Sequence, residues 1–215
     1  MSDLKIVPDA KSRDDLKIAV LISGRGSNLK ALIEQAAEKD FPAQIRLVIT
    51  NKKDAPGIKY AQDAGIDYVF LDHKAFPTRQ DFDMAMHAEL LTRGINFVFL
   101  AGFMRVLTKE FVEKWHDRLV NIHPSLLPAF PGVQTHERAL STGVKFHGCT
   151  VHFVREDVDN GPIITQEIMP IQKGDTPETL ASRLLFLEHK AYRHALKIIA
   201  YKKYLINGNA VETWD

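Results

Sequence analysis

The apolar residues of the first half of the chain fall into short runs that alternate with stretches of helical periodicity. Runs rich in β-branched and aromatic residues occupy positions 17–22, 45–50, 68–71, 96–101 and 119–122. Between them, apolar residues recur every three or four positions, as at Leu29, Leu32 and Ala36, which predicts amphipathic helices. The predicted helices cover residues 29–36, 55–64, 78–93 and 109–115. Strands and helices that alternate at this spacing are typical of parallel β–α–β units.

The pattern changes after His123, where three prolines and Gly132 mark a long ordered loop. Beyond it, strands are predicted at 150–155 and 163–171, and a long amphipathic helix within 176–205. We therefore predict an α/β fold: a Rossmann-like, mostly parallel β-sheet flanked by helices, with a C-terminal extension of strands and a long helix. The predicted divisions are a polar lead-in at 1–16 and one domain at 17–205, with a nucleotide-binding-like half at 17–123 and a C-terminal half at 124–205.

Composition excludes several classes of function for a protein with this fold. The 215 residues include 28 Lys and Arg against 27 Asp and Glu, and the net charge of +1 argues against a general nucleic-acid binder. Cys149 is the one cysteine, which excludes a disulfide scaffold and a multi-cysteine zinc site. The apolar runs are too short to span a bilayer, and the N-terminus lacks the apolar segment of a secretory signal. We expect a cytoplasmic protein with no metal, membrane or nucleic-acid partner.

A glycine-containing turn, Ser23-Gly24-Arg25-Gly26-Ser27-Asn28, follows the first strand and opens a helix. The free N–H groups and positive dipole at a helix N-terminus could hold a phosphate there. A tight turn with Ser27 or Asn28 as the helix cap would explain the same residues. Leu29 occupies the third glycine position of a dinucleotide fingerprint, and Asn51 follows the second strand where an acid would hold a ribose. A nicotinamide oxidoreductase is therefore disfavoured, and a mononucleotide-sized phosphate fits better.

Two polar side chains interrupt the apolar strand at 119–122. Asn121 and His123 share a face, because alternate residues of a strand point the same way, and they end a parallel strand. An amide donor for an oxyanion beside an imidazole that shuttles a proton suits acyl transfer. A pair of hydrogen-bonded structural residues is the alternative interpretation. Asp159, in a later turn, could orient His123 or could serve only the local hydrogen bonds of that turn.

Several motifs in a fixed order resemble the folate-dependent formyltransferases, and among them the phosphoribosylglycinamide formyltransferases. The resemblance extends from about residue 17 to about residue 193. Asn121, His123 and Asp159 are shared with a wider superfamily that includes formyltetrahydrofolate hydrolases and methionyl-tRNA formyltransferases, whereas Gly26-Ser27-Asn28 points to the glycinamide ribonucleotide enzymes. The motifs lie at 20–29, 100–107, 121–128, 147–154 and 159–162.

The resemblance implies a formyltransferase fold and a reaction. The expected enzyme transfers the formyl group of 10-formyltetrahydrofolate to the amine of N1-(5-phospho-D-ribosyl)glycinamide, which yields the N2-formyl product and tetrahydrofolate in de novo purine biosynthesis. It would be a monomer or homodimer that acts on small molecules, with the folate as co-substrate in one-carbon metabolism. The alternatives are a formyltetrahydrofolate hydrolase, which uses water as acceptor, and a non-catalytic phosphosugar-binding module.

The resemblance also implies roles for individual residues. His123, Asn121 and Asp159 would be catalytic, and a cis peptide bond is expected at Leu127-Pro128. His147 and His152 are interpreted as structural residues. The expected contacts to the phosphoribosyl substrate are Gly26, Ser27, Asn28 and Glu188. The expected contacts to the folate are Arg79, Met104, Arg105, Val106, Leu107, Asn121, Arg155, Glu156, Asp157, Val158 and Asp159.

Overall fold

The apolar runs form a seven-stranded sheet in the computed structural model, which describes residues 16–214. The strand order is β3-β2-β1-β4-β5-β6-β7. The first five strands are parallel to one another, and β6 and β7 continue the same sheet in antiparallel orientation. All but the last residue of the predicted lead-in lies outside the described residues. The strands are β1 Lys17–Ile22, β2 Gln44–Thr50, β3 Asp67–Phe70, β4 Phe97–Leu100, β5 Leu119–His123, β6 Phe146–Phe153 and β7 Ile163–Pro170.

Helices cover both faces of this sheet, which explains why its central strands are apolar at nearly every position. Alternate residues of β1 serve two separate cores: Val20 packs in the cluster that includes Leu29 and Leu184, whereas Leu21 packs in the cluster that includes Phe82. The predicted mostly parallel sheet flanked by helices is confirmed. The helices are α1 Ser27–Ala36, α2 Ile58–Asp63, α3 Arg79–Thr92, α4 Lys109–Lys114, α5 Thr135–Thr142 and α6 Pro177–Ala200.

The C-terminal part of the chain differs from the prediction. The long helix ends at Ala200 and not near residue 205, and Lys202 adopts a left-handed backbone with φ 55°. A two-stranded hairpin follows, with β8 at Tyr204–Asn207 and β9 at Ala210–Thr213. Helix propensity continues through Lys202 and Lys203, so the pattern alone does not reveal this stop.

Two further elements in the same half differ from the prediction. No element was predicted at Thr135–Thr142, which forms α5; two of its residues are buried and its apolar signal is weak. Strand β6 begins at Phe146, four residues before the predicted start at 150. Gly148 interrupts its apolar pattern because a Cβ there would lie 2.1 Å from the Glu167 carbonyl oxygen. Within the described residues, no helix is long and apolar enough to cross a membrane.

Candidate active site

The carboxyl ends of β1, β4 and β5 meet at one edge of the sheet. The strand order reverses between β1 and β4, and this switch point is where open α/β sheets place their ligands. A cleft of about 640 Å³ opens at this edge. Its lining includes Asn28, Asn121, His123, Asp159 and Glu188. The fold therefore brings together predicted site residues that lie up to 160 positions apart in the sequence.

His123 lies at the end of β5, with an oxygen acceptor facing each of its ring nitrogens. Its Nδ1 is 3.3 Å from Oδ2 of Asp159, and its Nε2 is 2.9 Å from the carbonyl oxygen of Phe130. Asp159 itself has a left-handed backbone and accepts the Gly132 N–H at 2.7 Å. A protonated imidazole carries an N–H on each nitrogen, and at His123 each N–H would then face an acceptor oxygen. The site is thus arranged to present His123 as an acid.

Asn121 is oriented by a second histidine from the neighbouring strand. Nδ1 of His152 lies 3.0 Å from the Phe153 carbonyl oxygen and must donate to it, so its Nε2 accepts from the Asn121 amide at 3.3 Å. Burial lowers the pKa of His152, which keeps this ring neutral. The 3.8 Å separation between His152 Nε2 and Asp159 Oδ1 is therefore not an ion pair. One N–H of the Asn121 amide remains for the cleft.

The loop after β5 is fastened to the antiparallel strands. Thr150 Oγ1 donates to the Ser125 carbonyl oxygen at 2.7 Å and accepts the Leu127 N–H at 3.0 Å. Gln166 Nε2 donates to the Leu127 carbonyl oxygen at 2.9 Å. The peptide bond between Leu127 and Pro128 is cis, as the resemblance implies. These contacts hold the loop so that the Phe130 carbonyl oxygen meets His123.

The glycine loop is shaped by close backbone packing. Gly26 has a φ of 73°, and a Cβ there would lie 2.6 Å from Cα of Gly57. Gly26 is the N-cap residue of α1 and no side chain caps this helix, so the interpretation of Ser27 or Asn28 as a cap is wrong. The first N–H groups of α1 have no intrahelical acceptor. They are available to an anion at this end of the cleft.

Asn28 and Glu188 connect this loop to α6. Asn28 Nδ2 donates to Oε2 of Glu188 at 2.9 Å, while Oδ1 of Asn28 is buried without a hydrogen-bond partner among the described residues. Burial raises the pKa of Glu188, and the Asn28 hydrogen bond and the charge of Arg25 oppose that shift. The Arg25 side chain thus lies within electrostatic range of the cleft. Oδ1 of Asn28 and Oε2 of Glu188 are suited to accept hydrogen bonds from the hydroxyl groups of a ligand.

Exposed apolar side chains form the other part of the cleft. Met104 is 74% exposed, Val106 55%, Val133 71% and Val158 55%, and all four line the cleft. The Met104–Leu107 segment is fixed at its start, where the Met104 N–H donates to Ser23 Oγ at 2.9 Å. The next residue, Thr108, donates its N–H to Oδ2 of Asp83 at 2.7 Å. A flat aromatic ligand fits such a fixed apolar wall.

The remaining predicted contacts differ in their placement. Arg105 lines the cleft and lies over the Phe82 ring at 5.2 Å. Arg155 and Glu156 also line the cleft, but they form ion pairs with Asp117 at 2.6 Å and Lys109 at 2.8 Å. Arg79 and Asp157 are exposed and do not line it. Gly26 and Ser27 lie immediately before its lining residue Asn28.

Several residues around this site were not assigned a role in it from the sequence. Phe130, Val133 and His136 lie in a segment whose apolar and helical signals are weak, and Val133 and His136 line the cleft. His152 was interpreted as structural, but it lies opposite Asn121 in the β5–β6 ladder and binds its amide. The register that pairs His152 with Asn121 cannot be predicted from the pattern of a single sequence. Among residues 16–214, no group of three or more His, Cys, Asp or Glu side chains is placed to hold a metal ion.

Comparisons with known proteins agree on one family. Residues 16–196 match the family described as formyl transferase. Phosphoribosylglycinamide formyltransferase of Escherichia coli K12 is 40% identical over 195 residues, which is 91% of this chain and 92% of that protein. Human trifunctional purine biosynthetic protein adenosine-3 is 48% identical over 198 residues, which is 92% of this chain and 20% of that protein. The chain thus spans about a fifth of this trifunctional relative.

A solved structure shows the same similarity in three dimensions. Glycinamide ribonucleotide transformylase 1 from Symbiobacterium toebii superimposes with a TM-score of 0.90 at 42% sequence identity. The match covers 93% of this chain and 94% of that one. Nearly the whole described fold is therefore shared with that structure.

Proposed function

The chain belongs to the formyl transferase family, and we propose that it transfers the formyl group of 10-formyltetrahydrofolate to the amine of N1-(5-phospho-D-ribosyl)glycinamide. The products are the N2-formyl derivative and tetrahydrofolate, in de novo purine biosynthesis. Relatives that carry the phosphoribosylglycinamide formyltransferase name support the transferase over the hydrolase and the binding module. We further propose a cytoplasmic monomer or homodimer with no nucleic-acid partner, built on one domain at 17–205.

One observation carries this proposal: the glycine loop, residues 23–28, lies at the same cleft as a cluster of three polar side chains. We call this second group, Asn121, His123 and Asp159, the imidazole cluster. Asn28 reaches Glu188 at 2.9 Å, and both line the cleft that also contains Asn121, His123 and Asp159. A phosphosugar amine held at the first end is therefore directed towards the acid and the oxyanion donor at the second. A phosphosugar sensor would not need this second cluster.

The phosphoribosyl substrate binds at the glycine-loop end. The backbone N–H groups of Gly26, Ser27 and Asn28 at the start of α1 hold the phosphate, since that helix end carries no side-chain cap. Glu188 accepts hydrogen bonds from the ribose hydroxyls, with its orientation set by Asn28. The raised pKa of Glu188 reflects a half-buried carboxylate that gains by accepting such donors.

The folate binds along the apolar wall. Its pterin ring fits against Met104–Leu107, and the segment 155–159 closes the other side, with Val158 as the apolar contact and Arg155, Glu156 and Asp157 beside it. Arg105 lines the same wall. Arg79, exposed at the start of α3, is placed outside the cleft for the carboxylates of the glutamate tail.

The chemistry is a direct acyl transfer. The amine attacks the formyl carbon, and the free N–H of Asn121 donates to the oxyanion that forms. His123, held between Asp159 and the Phe130 carbonyl oxygen, donates a proton to the departing folate nitrogen. These side chains perform the transfer without a covalent enzyme intermediate.

The first experiment follows the loss of 10-formyltetrahydrofolate spectroscopically with and without the glycinamide substrate. We expect turnover only when both are present. Turnover without the amine would instead identify a hydrolase, and no turnover in either case would exclude this reaction and favour a binding role.

A further inference from the structure

The proposed reaction needs a group that accepts a proton from the attacking amine. His123 is unsuited to this step, because each of its nitrogens already faces an acceptor oxygen. His152 is also unsuited, since Nδ1 donates to the Phe153 carbonyl oxygen and Nε2 accepts from Asn121. Glu188 is engaged by Asn28. The imidazoles of His123 and His152 therefore offer no free ring nitrogen to accept this proton.

His136 is a further imidazole of the cleft lining, on the first turn of α5. Its Nδ1 lies 3.1 Å from Nε2 of His147, and the two rings meet edge to face with centroids 5.1 Å apart. His147 is 1% exposed. Nε2 of His136 forms no hydrogen bond to any residue at 16–214 and stays available to a ligand in the cleft.

The charges around His136 favour its neutral form. The titratable groups facing it are His147 from β6, His123 from β5 and Glu137 on its own helix. Burial lowers the pKa of His136, the charge of His123 adds to this, and Glu137 opposes it. Burial lowers the pKa of His147 to about 4, so this partner adds no positive charge near neutral pH. A neutral imidazole with one free nitrogen can accept a proton.

We propose that Nε2 of His136 accepts the proton that the substrate amine loses during formyl transfer. This inference rests on the proposed function. The amine nitrogen forms a bond to the formyl carbon, and the bond from that carbon to the folate nitrogen breaks with its electron pair. The folate nitrogen takes a proton from His123, and the proton of the amine passes to His136. Exchange with solvent then restores both imidazoles.

The hydrogen bond to His147 is compatible with the required tautomer. For Nε2 to carry the lone pair, Nδ1 of His136 must carry the hydrogen and donate it to Nε2 of His147. His147 is thus a positioning residue, buried in β6 where it cannot reach the substrate itself.

The test compares His136→Asn with a matched control, His87→Asn. Asparagine places an amide near the position of Nδ1 and removes Nε2, so the contact to His147 can persist while the base is lost. His87 is also half-buried, with Nδ1 accepting a hydrogen bond from Trp115 at 3.1 Å, but it does not line the cleft. We expect kcat to fall about 100-fold in His136→Asn, consistent with the usual contribution of a general base, and to stay within about threefold in the control.

Added imidazole separates a base from a structural role. At pH 7 it should restore the kcat of His136→Asn at least about tenfold, with little change in either KM, since a small base in the cleft replaces the missing nitrogen. A kcat within about threefold of wild type, or a loss that imidazole does not restore, would overturn the inference.

The wild-type enzyme supplies a second measurement that does not depend on how the variant folds. At saturating substrates, kcat should fall on the acid side with an apparent pKa below 6.5, because protonated His136 cannot act. A kcat that shows no fall on the acid side over the pH range in which the enzyme stays folded would overturn the inference and leave the proposed function intact. Absence of wild-type turnover with both substrates would overturn both.

Discussion

The two ends of the cleft differ in the groups that they present: backbone N–H groups at the glycine-loop end and side chains at the end with His123. At the glycine-loop end, Gly26 packs against Gly57 and the available hydrogen-bond donors belong to the backbone of α1. At the imidazole end, His123, Asp159 and Asn121 act through side-chain atoms whose other hydrogen bonds are already made. We therefore expect substrate binding at the first end to be lost when a side chain is added to Gly26. At the second end, we expect catalysis to be lost when a side chain is removed.

This difference also determines what each end requires from the rest of the fold. The backbone donors at the glycine-loop end need only a strand, a helix and close packing between two loops. The side-chain end needs Phe130 and Gly132 from a loop that Thr150 fastens to β6. Its geometry therefore depends on the antiparallel extension as well as on β5.

The largest effect should come from removing the acid. His123→Asn should lower kcat by about 10²–10⁴-fold, because proton donation to the departing nitrogen is lost. Initial-rate kinetics at saturating substrates measure the change, with both KM values as the control for binding. Loss of the imidazole with less than a tenfold change in kcat would contradict the assigned role.

A second change tests the oxyanion donor. Asn121→Ala should lower kcat by about 10²–10³-fold while substrate binding survives, since the amide acts on charge that develops in the transition state. Turnover close to that of wild type would remove Asn121 from the mechanism.

The glycine-loop end should respond to added volume. Gly26→Ala places a Cβ 2.6 Å from Cα of Gly57 on a backbone with φ 73°. We expect the KM of the phosphoribosyl substrate to rise about tenfold to a hundredfold, because charge-assisted hydrogen bonds of about 1.5–3 kcal/mol are lost. Gly24→Ala is the matched control, since a Cβ there meets nothing within 4 Å. Equal KM values for the two variants would show that the loop does not hold the phosphate.

Glu188→Gln tests the α6 side chain that binds Asn28 at the glycine-loop end. We expect the KM of the phosphoribosyl substrate to rise about tenfold, as a charge-assisted acceptor is replaced by a neutral one. Because the pKa of Glu188 is raised in the folded protein, its ionisation costs stability as pH rises above 4.5.

That cost predicts a pH-dependent difference in stability. Compared with wild type, Glu188→Gln should have a relatively higher Tm at pH 7 than at pH 4, as measured by thermal unfolding. A Tm difference that is the same at both pH values would show that the carboxylate is not strained by burial.

The smallest effect is expected outside both ends. Arg79→Ala should raise the KM of the folate about threefold at low salt, because exposed ion pairs contribute about 0.2–1 kcal/mol. The difference should disappear at high ionic strength, which screens exposed charges. A salt-independent increase would mean that Arg79 contacts the folate through a buried bond.

The parallel core was predictable because it is buried on both faces. Strands β1, β2, β4 and β5 are mostly apolar, and their predicted bounds differ from the observed bounds by at most one residue. The end of α6 and the β8–β9 hairpin were not predictable, since the residues around Lys202 favour a helix locally and tertiary packing decides the outcome.

The residues of the site likewise fall into those that local sequence patterns predict and those that depend on contacts distant in sequence. Local spacing placed Asn121 and His123 on one face of a strand, and the resemblance supplied Asp159 and Glu188. The 2.9 Å contact between Asn28 and Glu188 spans 160 positions, and no local pattern encodes it. His152 and His136 required the register of β6 and the course of the loop, which depend on contacts distant in sequence.

The contact between Asn28 and Glu188 also has a consequence for biosynthesis. Synthesis proceeds from the N-terminus, so the glycine loop and strand β5 leave the ribosome well before α6 has been synthesised. A nascent chain that already holds Asn121 and His123 still lacks the Glu188 carboxylate, which binds Asn28 and lines the cleft. The lining of the cleft is therefore complete only after residue 188 has been added and α6 has docked.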